Sequence, residues 1–308
     1  MTRKVNLAVA QMGPVHLADT RERVVQRLLA MLREAKGRGA EFVVFPELAL
    51  TTFFPRYWMT GQEEIDRFFE REMPNAATKP LFDEAKKLNV GFYLGYAELT
   101  ADGHRFNTSL LVDRQGKVVG RYRKIHLPGH ADHKPAAPFQ HLEKRYFEVG
   151  DLGWGVWRAF GGLLGMCICN DRRWPETYRV MGLQGVEMVL LGYNTPVHHP
   201  PAPEHDLLGN FHNQLSMQAG AYQNGTWVVG VAKCGREEGC DMIGQSQIIA
   251  PSGETVAMCT TLGDELCVAR CDLDLTRSYK ETTFNFARHR RPEHYRLIVD
   301  RTGAIPPP

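Results

Sequence analysis

Residues 163–176 read LLGMCICNDRRWPE. The apolar run lacks polar alternation, which marks a strand buried on both faces. It breaks off at Cys169. Asn170, Asp171, Arg172, Arg173 and Trp174 follow, then Pro175 and Glu176, a proline and an acid that mark a helix start. TYRVMGLQGV continues at helical spacing. A strand of this kind belongs in a sheet covered on both sides, so the chain must supply helices to cover it. The expected fold class is α/β.

The flanking sequence fits that class. Val5–Gln11 reads as a first strand. Asp19 or Thr20 can cap a helix running to about Ala35, with Val24, Val25, Leu28, Leu29 and Leu32 on its inner face. Phe42–Phe45 is a short buried strand closed by Pro46 and Glu47. Residues 51–75 read as an aromatic inserted loop with one short helix. Lys79–Leu88 is helical, Val90–Ala97 is a strand, and Phe106–Asp113 pairs with Lys117–Tyr122 across Gln115-Gly116. Residues 127–150 show little periodicity. Val186–Leu191 is another buried strand, Asn194–Asp206 a proline-rich loop, Leu207–Asn224 a helix and Thr226–Ala232 a strand. Gly244–Ala250 pairs with Glu254–Met258, and Glu265–Asp272 is the last strand. No repeat or linker interrupts residues 1–308, so one domain is expected. The tail from about Thr276 is basic and aromatic and ends in an IPPP segment expected to lack order. Strand ends at Glu47 and Cys169 are expected to meet on one edge, where open α/β sheets place ligands.

Composition narrows the function classes. A formal charge of +2 gives no electrostatic case for a nucleic-acid or membrane partner. No apolar run approaches the ~18 residues of a membrane span. The N-terminus MTRKVNLAVAQ reads as a strand and not as a signal peptide, so a cytoplasmic location is expected. Seven cysteines without regular spacing fit reduced thiols.

Cys169 is the candidate nucleophile. Helix-start amides and nearby cations would favour its thiolate. Most buried cysteines are inert, and Cys167, two residues earlier on the same strand face, competes. Cys169 is preferred because it stands at the strand end. A cysteine hydrolase also needs a base, an oxyanion donor and a grip on its substrate. Glu47, Lys124 in RYRKIHLPG, Arg172 and Arg173 are available, though each alone reads equally well as a cap, a loop charge or a surface residue. GxSxG, GxGxxG, P-loop and HExxH motifs are absent. His126, His130, His133, His141, His198, His199 and His205 match no zinc spacing and read as loop and rim residues, so no metal is expected.

FPE with Glu47, RKIHL with Lys124 and GMCICNDRRWPE with Cys169 resemble, in order, the three signatures of the nitrilase, or carbon–nitrogen hydrolase, superfamily. Any one is weak; three in sequence, each at a strand end, are specific. The resemblance runs from Val5 to about Ile298. PELALTTFFPR, FQHLEKRYFE, GYNTP, SMQAGAYQNG and FNFARHRRPEHY are similar to the branch that hydrolyses N-carbamoyl-D-amino acids, with departures around Ala101–Gly103 and residues 130–138.

The resemblance implies an α-β-β-α sandwich whose sheets stack across subunits in a homodimer or homotetramer, with the tail from about 276 in the contact. It implies a Glu47–Lys124–Cys169 triad, a second acid at Glu143, and neither metal nor organic cofactor. Arg172 and Arg173 match a carboxylate-binding pair, and Asn170, Asn194, Thr195 and His141 match positions beside the substrate. The implied reaction converts a small N-carbamoyl-D-amino acid to the D-amino acid, ammonia and carbon dioxide. Glu47 takes the Cys169 proton, the thiolate attacks the carbamoyl carbon, and Lys124 and the Asn170 backbone N–H hold the oxyanion. A guanidinium fork can grip a carboxylate bidentately, which points to an amino-acid derivative rather than a simple nitrile. The aromatic loop Phe53–Trp58 suggests room for bulky side chains. Aliphatic amidases, nitrilases and β-ureidopropionases share the triad and are separated by their products. A catalytically silent binding protein or scaffold on the same fold is separated by its lack of turnover.

Overall fold

Two six-stranded sheets carry most of the chain, in a computed structural model that describes residues 3–307. The first is built from β1 (Lys4–Gln11), β2 (Phe42–Val44), β3 (Gly91–Leu99), β4 (Arg105–Val112), β5 (Val118–Arg123) and β14 (Glu265–Asp272). Its order is β14-β1-β2-β3-β4-β5. The second holds β6 (Val156–Ala159), β7 (Gly162–Ile168), β8 (Met188–Tyr193), β9 (Trp227–Ala232), β12 (Gln247–Ile249) and β13 (Thr255–Met258). Its order is β13-β12-β9-β8-β7-β6, and β10 (Cys234–Glu237) and β11 (Cys240–Ile243) form a separate hairpin. In each sheet three central strands run parallel, β1-β2-β3 and β7-β8-β9, with antiparallel strands outside them.

Strand alternation decides which side each residue serves. Val5, Leu7 and Val9 of β1 join Phe42 and Val44 of β2 in the cluster that also holds Met166, Ile168, Leu190 and Val229 of the second sheet. The alternate residues Ala8, Ala10, Val43, Phe92 and Leu94 turn outward, onto α1 (Arg21–Gly37) and α3 (Lys79–Leu88). Thr20 caps α1 by accepting the Arg23 N–H, and Val24, Val25, Leu28, Leu29 and Leu32 are buried as their spacing predicts. Each such side chain contributes roughly 1.5–3 kcal/mol of burial. On the far side, α5 (Pro175–Leu183) and α6 (Gly209–Asn224) cover the second sheet through Tyr178, Met181, Met217 and Ala221. The layers are α-β-β-α.

A smaller cluster fixes the inserted loop. Phe53 and Phe54 pack with Phe68, Phe69, Leu142, Tyr146 and Phe147, tying the loop and its short α2 (Gln62–Asp66) to α4 (Glu143–Tyr146). Phe53 and Phe54 are therefore core residues and not the walls of a roomy subsite. Only Tyr57 and Trp58 of that aromatic run are half-exposed.

Several expected bounds shift. The second strand ends at Val44, and the helix expected from Leu207 starts at Gly209 after a short 3-10 turn, with Leu207 almost fully exposed. The hairpin β10–β11 and strand β6 were not expected. The tail folds into three short helices, α7 (Leu275–Glu281), α8 (Phe286–His289) and α9 (Arg296–Asp300), and residues 303–307 carry no regular structure. All seven cysteines are free thiols. No helix among the described residues is long and apolar enough to cross a membrane.

Candidate active site

Four strand ends converge between the sheets. Glu47 lies three residues past β2, Lys124 directly follows β5, Cys169 directly follows β7 and Asn194 directly follows β8. This is the carboxyl edge of the parallel strands, where the side chains of different strands can be brought to one point.

Glu47 and Lys124 are completely buried and form a direct ion pair. The Lys124 ammonium donates to Glu47 Oε1 at 2.8 Å and to Glu143 Oε2 at 2.6 Å. Asn107 donates its amide to Glu47 Oε1 at 2.8 Å and accepts the Lys124 N–H on its carbonyl at 2.8 Å. Asn194 grips Glu47 twice, its N–H on Oε2 at 2.9 Å and its side-chain amide on the Glu47 carbonyl at 2.8 Å. Among the described residues, Oε2 of Glu47 accepts only that one bond, which leaves it a free lone pair. The second acid, Glu143, is held from its other side by His141, with Nε2 at 3.0 Å from Oε1.

Two glycines let the Glu47 backbone reach this position. A Cβ on Gly192 would stand 2.1 Å from the Glu47 nitrogen, and one on Gly95 would stand 2.7 Å from its Cα. Neither distance can be relieved by rotating a side chain, so the strands β3 and β8 carry glycine where Glu47 crosses them.

Cys169 sits on an elbow. Ile168 is still extended, and Cys169 takes φ +48°, a left-handed conformation that costs a non-glycine residue energy and turns the chain sharply. A 3-10 turn, Cys169–Arg173, separates it from α5, which starts only at Pro175. Asp171 secures the elbow. Its Oδ2 accepts the Ile168 N–H at 3.0 Å and the Tyr122 hydroxyl at 2.7 Å, and its Oδ1 accepts the His126 N–H at 2.9 Å. Asn170 donates its side-chain amide to the His126 carbonyl at 3.2 Å, tying the same two segments together. Cys169 retains 3% exposure, whereas Glu47, Lys124 and Glu143 have none, so the sulfur-bearing residue alone of these four meets solvent.

The electrostatics correct one expectation. Burial pushes the Cys169 thiol up, Glu47 pushes the same way, and Lys124 and Arg172 offset them only in part. The thiol is thus raised and not lowered: the helix-start amides expected to favour the thiolate begin only at Pro175, while burial and Glu47 act against it. Burial opposes the Lys124 charge, but the Glu143 and Glu47 carboxylates bonded to it outweigh that and hold the ammonium above its ordinary pKa. Burial raises the Glu143 carboxyl, but Lys124 and His141 outweigh it and hold it below the usual carboxylate range. Cys167 is sealed in the core, with burial and then Asp171 raising its thiol further.

The two arginines separate. Arg172 is 1% exposed and lies over the Tyr193 ring. Its guanidinium donates to Asn213 Oδ1 at 2.9 Å, to the Cys169 carbonyl at 2.6 Å and to Thr195 Oγ1 at 2.9 Å. Arg173 is exposed and has no acid partner among the described residues. The Arg172 charge, and then partial withdrawal from water, pull its pKa down to about 10, so it stays cationic at neutral pH. Burial and then Arg173, His205 and His141 lower the His199 pKa, and Asp206 opposes them. The histidine loops hold no group of three metal-ligating atoms in bonding reach of one another among the described residues.

Every expected site residue is thus placed. Asn107, Asp171, Asn213 and the glycines at 95 and 192 were not singled out. Asn107 is a lone buried amide in the apolar strand FNTSLLV, a signal that sequence alone can raise but not assign.

A buried acid–ammonium pair and an elbow cysteine meet at one edge of an α-β-β-α frame. The model of the carbon-nitrogen hydrolase family matches residues 6–281. The chain belongs to that family, and it is an enzyme that hydrolyses C–N bonds. It is similar to an N-carbamoylputrescine amidase of Arabidopsis thaliana, 31% identical over 89% of each chain. It is 30% identical to a nitrilase of Pyrococcus abyssi, over 94% of this chain and 99% of the other. A crystal structure of a carbon–nitrogen hydrolase from Helicobacter pylori G27 has the same fold, with a TM-score of 0.84, 22% identity, and coverage of 97% of this chain and 99% of the other.

Proposed function

We propose that the enzyme hydrolyses N-carbamoyl-D-amino acids to the D-amino acid, ammonia and carbon dioxide. The observation that carries the reading is the pairing of Glu47 and Lys124 beside Cys169 with a cation, Arg173, in the same 3-10 turn as Cys169 and without an acid partner among the described residues. The family's chemistry supplies the C–N bond; the cation favours a substrate with a carboxylate that does not react.

Glu47, through its free Oε2 lone pair, takes the proton of the Cys169 thiol, and the sulfur attacks the ureido carbon. Negative charge develops on the ureido oxygen, where the Lys124 ammonium and the Asn170 backbone N–H stabilise it. A fixed donor at that position contributes about 3 kcal/mol in comparable sites. The C–N bond breaks as the leaving nitrogen takes the proton from Glu47, leaving a thioester-like carbamoyl group on Cys169. Water, deprotonated by Glu47 or Glu143, then cleaves the C–S bond and restores the thiol, releasing a carbamic acid that loses carbon dioxide and frees the second nitrogen as ammonia or the amino group. Breaking either C–N bond first leads to the same products. Arg172 holds the Cys169 carbonyl and Thr195 in place, Arg173 takes the carboxylate, and His141 orients Glu143. The functional unit is a small-molecule enzyme that assembles as a homodimer or homotetramer in the cytoplasm.

Ammonia release over paired D- and L-N-carbamoyl amino acids, with a matched amide and nitrile, tests the reading. Turnover of the D-ureido acids is expected to dominate. Arg173→Gln is expected to raise KM for them about tenfold, the loss of one charge-assisted contact, with kcat retained. Preference for the amide, the nitrile or the L-series, or an unchanged KM, contradicts it.

A further inference from the structure

Two sulfurs far from the catalytic cysteine in the chain lie 3.4 Å apart. Cys259 directly follows β13 of the second sheet, and Cys267 is inside β14 of the first. Glu265 opens β14, and one ligand atom each from Cys259, Glu265 and Cys267 falls within 4.8 Å of the others. No other group of three His, Cys, Asp or Glu among the described residues meets that condition. Glu265 is already oriented: its Oε2 accepts the Thr260 N–H at 2.9 Å, the Thr261 N–H at 2.7 Å and the Thr261 hydroxyl at 2.7 Å. Hydrogen bonds of this kind fix a carboxylate that ligates through its other oxygen. Cys259 is anchored in turn by its N–H on the Ser246 carbonyl at 2.8 Å.

We propose that Cys259, Cys267 and Glu265 bind a thiophilic divalent cation of the zinc class. Two zinc–sulfur bonds of about 2.3 Å at a tetrahedral angle place the sulfurs roughly 3.8 Å apart, close to the separation found. Two thiolates exclude magnesium and calcium, which take oxygen ligands. Binding forms two metal–sulfur bonds and one metal–carboxylate bond and releases both thiol protons to solvent. Cys259 is buried, while Cys267 and Glu265 are half-exposed, so the ion enters from the solvent side and a water completes the fourth position. The ion would staple the sheets. Gln11 of β1 donates to the Thr261 carbonyl, and Asp264 accepts the Gly13 N–H and pairs with Arg27, so residues 259–267 already bridge them.

The test begins with reduced protein stripped by a chelator and titrated with Cd2+, followed by the thiolate-to-cadmium charge-transfer band. One equivalent is expected to bind and to be displaced by Zn2+. Cys259→Ser and Cys267→Ser are each expected to lose that equivalent, and Glu265→Gln to weaken it about tenfold or more. X-ray absorption of wild-type protein carrying one equivalent of zinc is expected to show two sulfur scatterers beside oxygen. A band that persists in both serine variants, or a zinc edge with only nitrogen and oxygen neighbours, overturns the proposal.

Discussion

Glu143 is fully buried, yet it is held charged, and Lys124 is the first reason. A carboxyl whose folded pKa is depressed adds stability above its unfolded value of about 4.3, and that stability is lost as pH falls through the folded value. Glu143→Gln removes the term and leaves the Lys124 ammonium with Glu47 alone. The variant is expected to melt well below wild type at pH 7, by an amount on the order of 3 kcal/mol. The gap in Tm is expected to start closing as the pH falls below about 4.3, because the unfolded chain's carboxyl then takes up protons while the folded one stays charged, and to be gone once the folded carboxyl protonates too. A gap that stays constant from pH 7 to pH 3 would show that the charge is not what Glu143 contributes. Glu47, Lys124 and Cys169 were singled out at this scale by the family resemblance, and all three lie just past strand ends. Their surroundings were not legible. No pattern in the sequence says that Asn107 faces Glu47, or that Arg172 is spent on Asn213 and Thr195 while its neighbour Arg173 points to solvent.

The elements matter through where they stop and how closely they cross. Cys169 is presented by a strand followed by a left-handed residue, and Asp171 accepts bonds from three residues, Ile168, Tyr122 and His126, to hold that turn. Glu47 is presented by a loop pressed onto the backbones of β3 and β8. Gly192→Ala is expected to destabilise the protein by about 1–3 kcal/mol, because the added carbon meets backbone that cannot rotate away. The same displacement is expected to lower kcat by about 10²-fold, since a shift near 1 Å is enough to spoil alignment. Denaturant unfolding and steady-state kinetics check both, and a fully active variant of wild-type stability would contradict the assigned crossing. Long elements were readable: Lys79–Leu88 and Glu265–Asp272 have the expected bounds. Short ones were not. The hairpin β10–β11 turns at Glu238-Gly239, both at positive φ, inside a charged run whose four-residue strands leave no visible alternation. Phe160-Gly161 hides the β6–β7 turn in the same way.

At the scale of the molecule, the pairing of two sheets face to face puts strand ends from both at one point, and no single sheet could do so. The outer helices keep apolar side chains in water: Val180 and Leu183 on α5, Leu215 and Tyr222 on α6, and Leu297, Ile298 and Val299 on α9 are all exposed. Exposed apolar faces of this extent are characteristic of subunit contacts. Sedimentation is expected to give a dimer or tetramer, and truncation before α9 to weaken it; a monomer at all concentrations would contradict the proposed assembly. The central claim is covalent attack by Cys169 on a ureido carbon. Rapid quench of the enzyme with an N-carbamoyl-D-amino acid, followed by intact-protein and peptide mass spectrometry, tests it most directly. A transient mass increase confined to the peptide bearing Cys169 is expected, absent in Cys169→Ala and preserved in Cys167→Ala. An adduct on another cysteine, or turnover retained by Cys169→Ala, would contradict it.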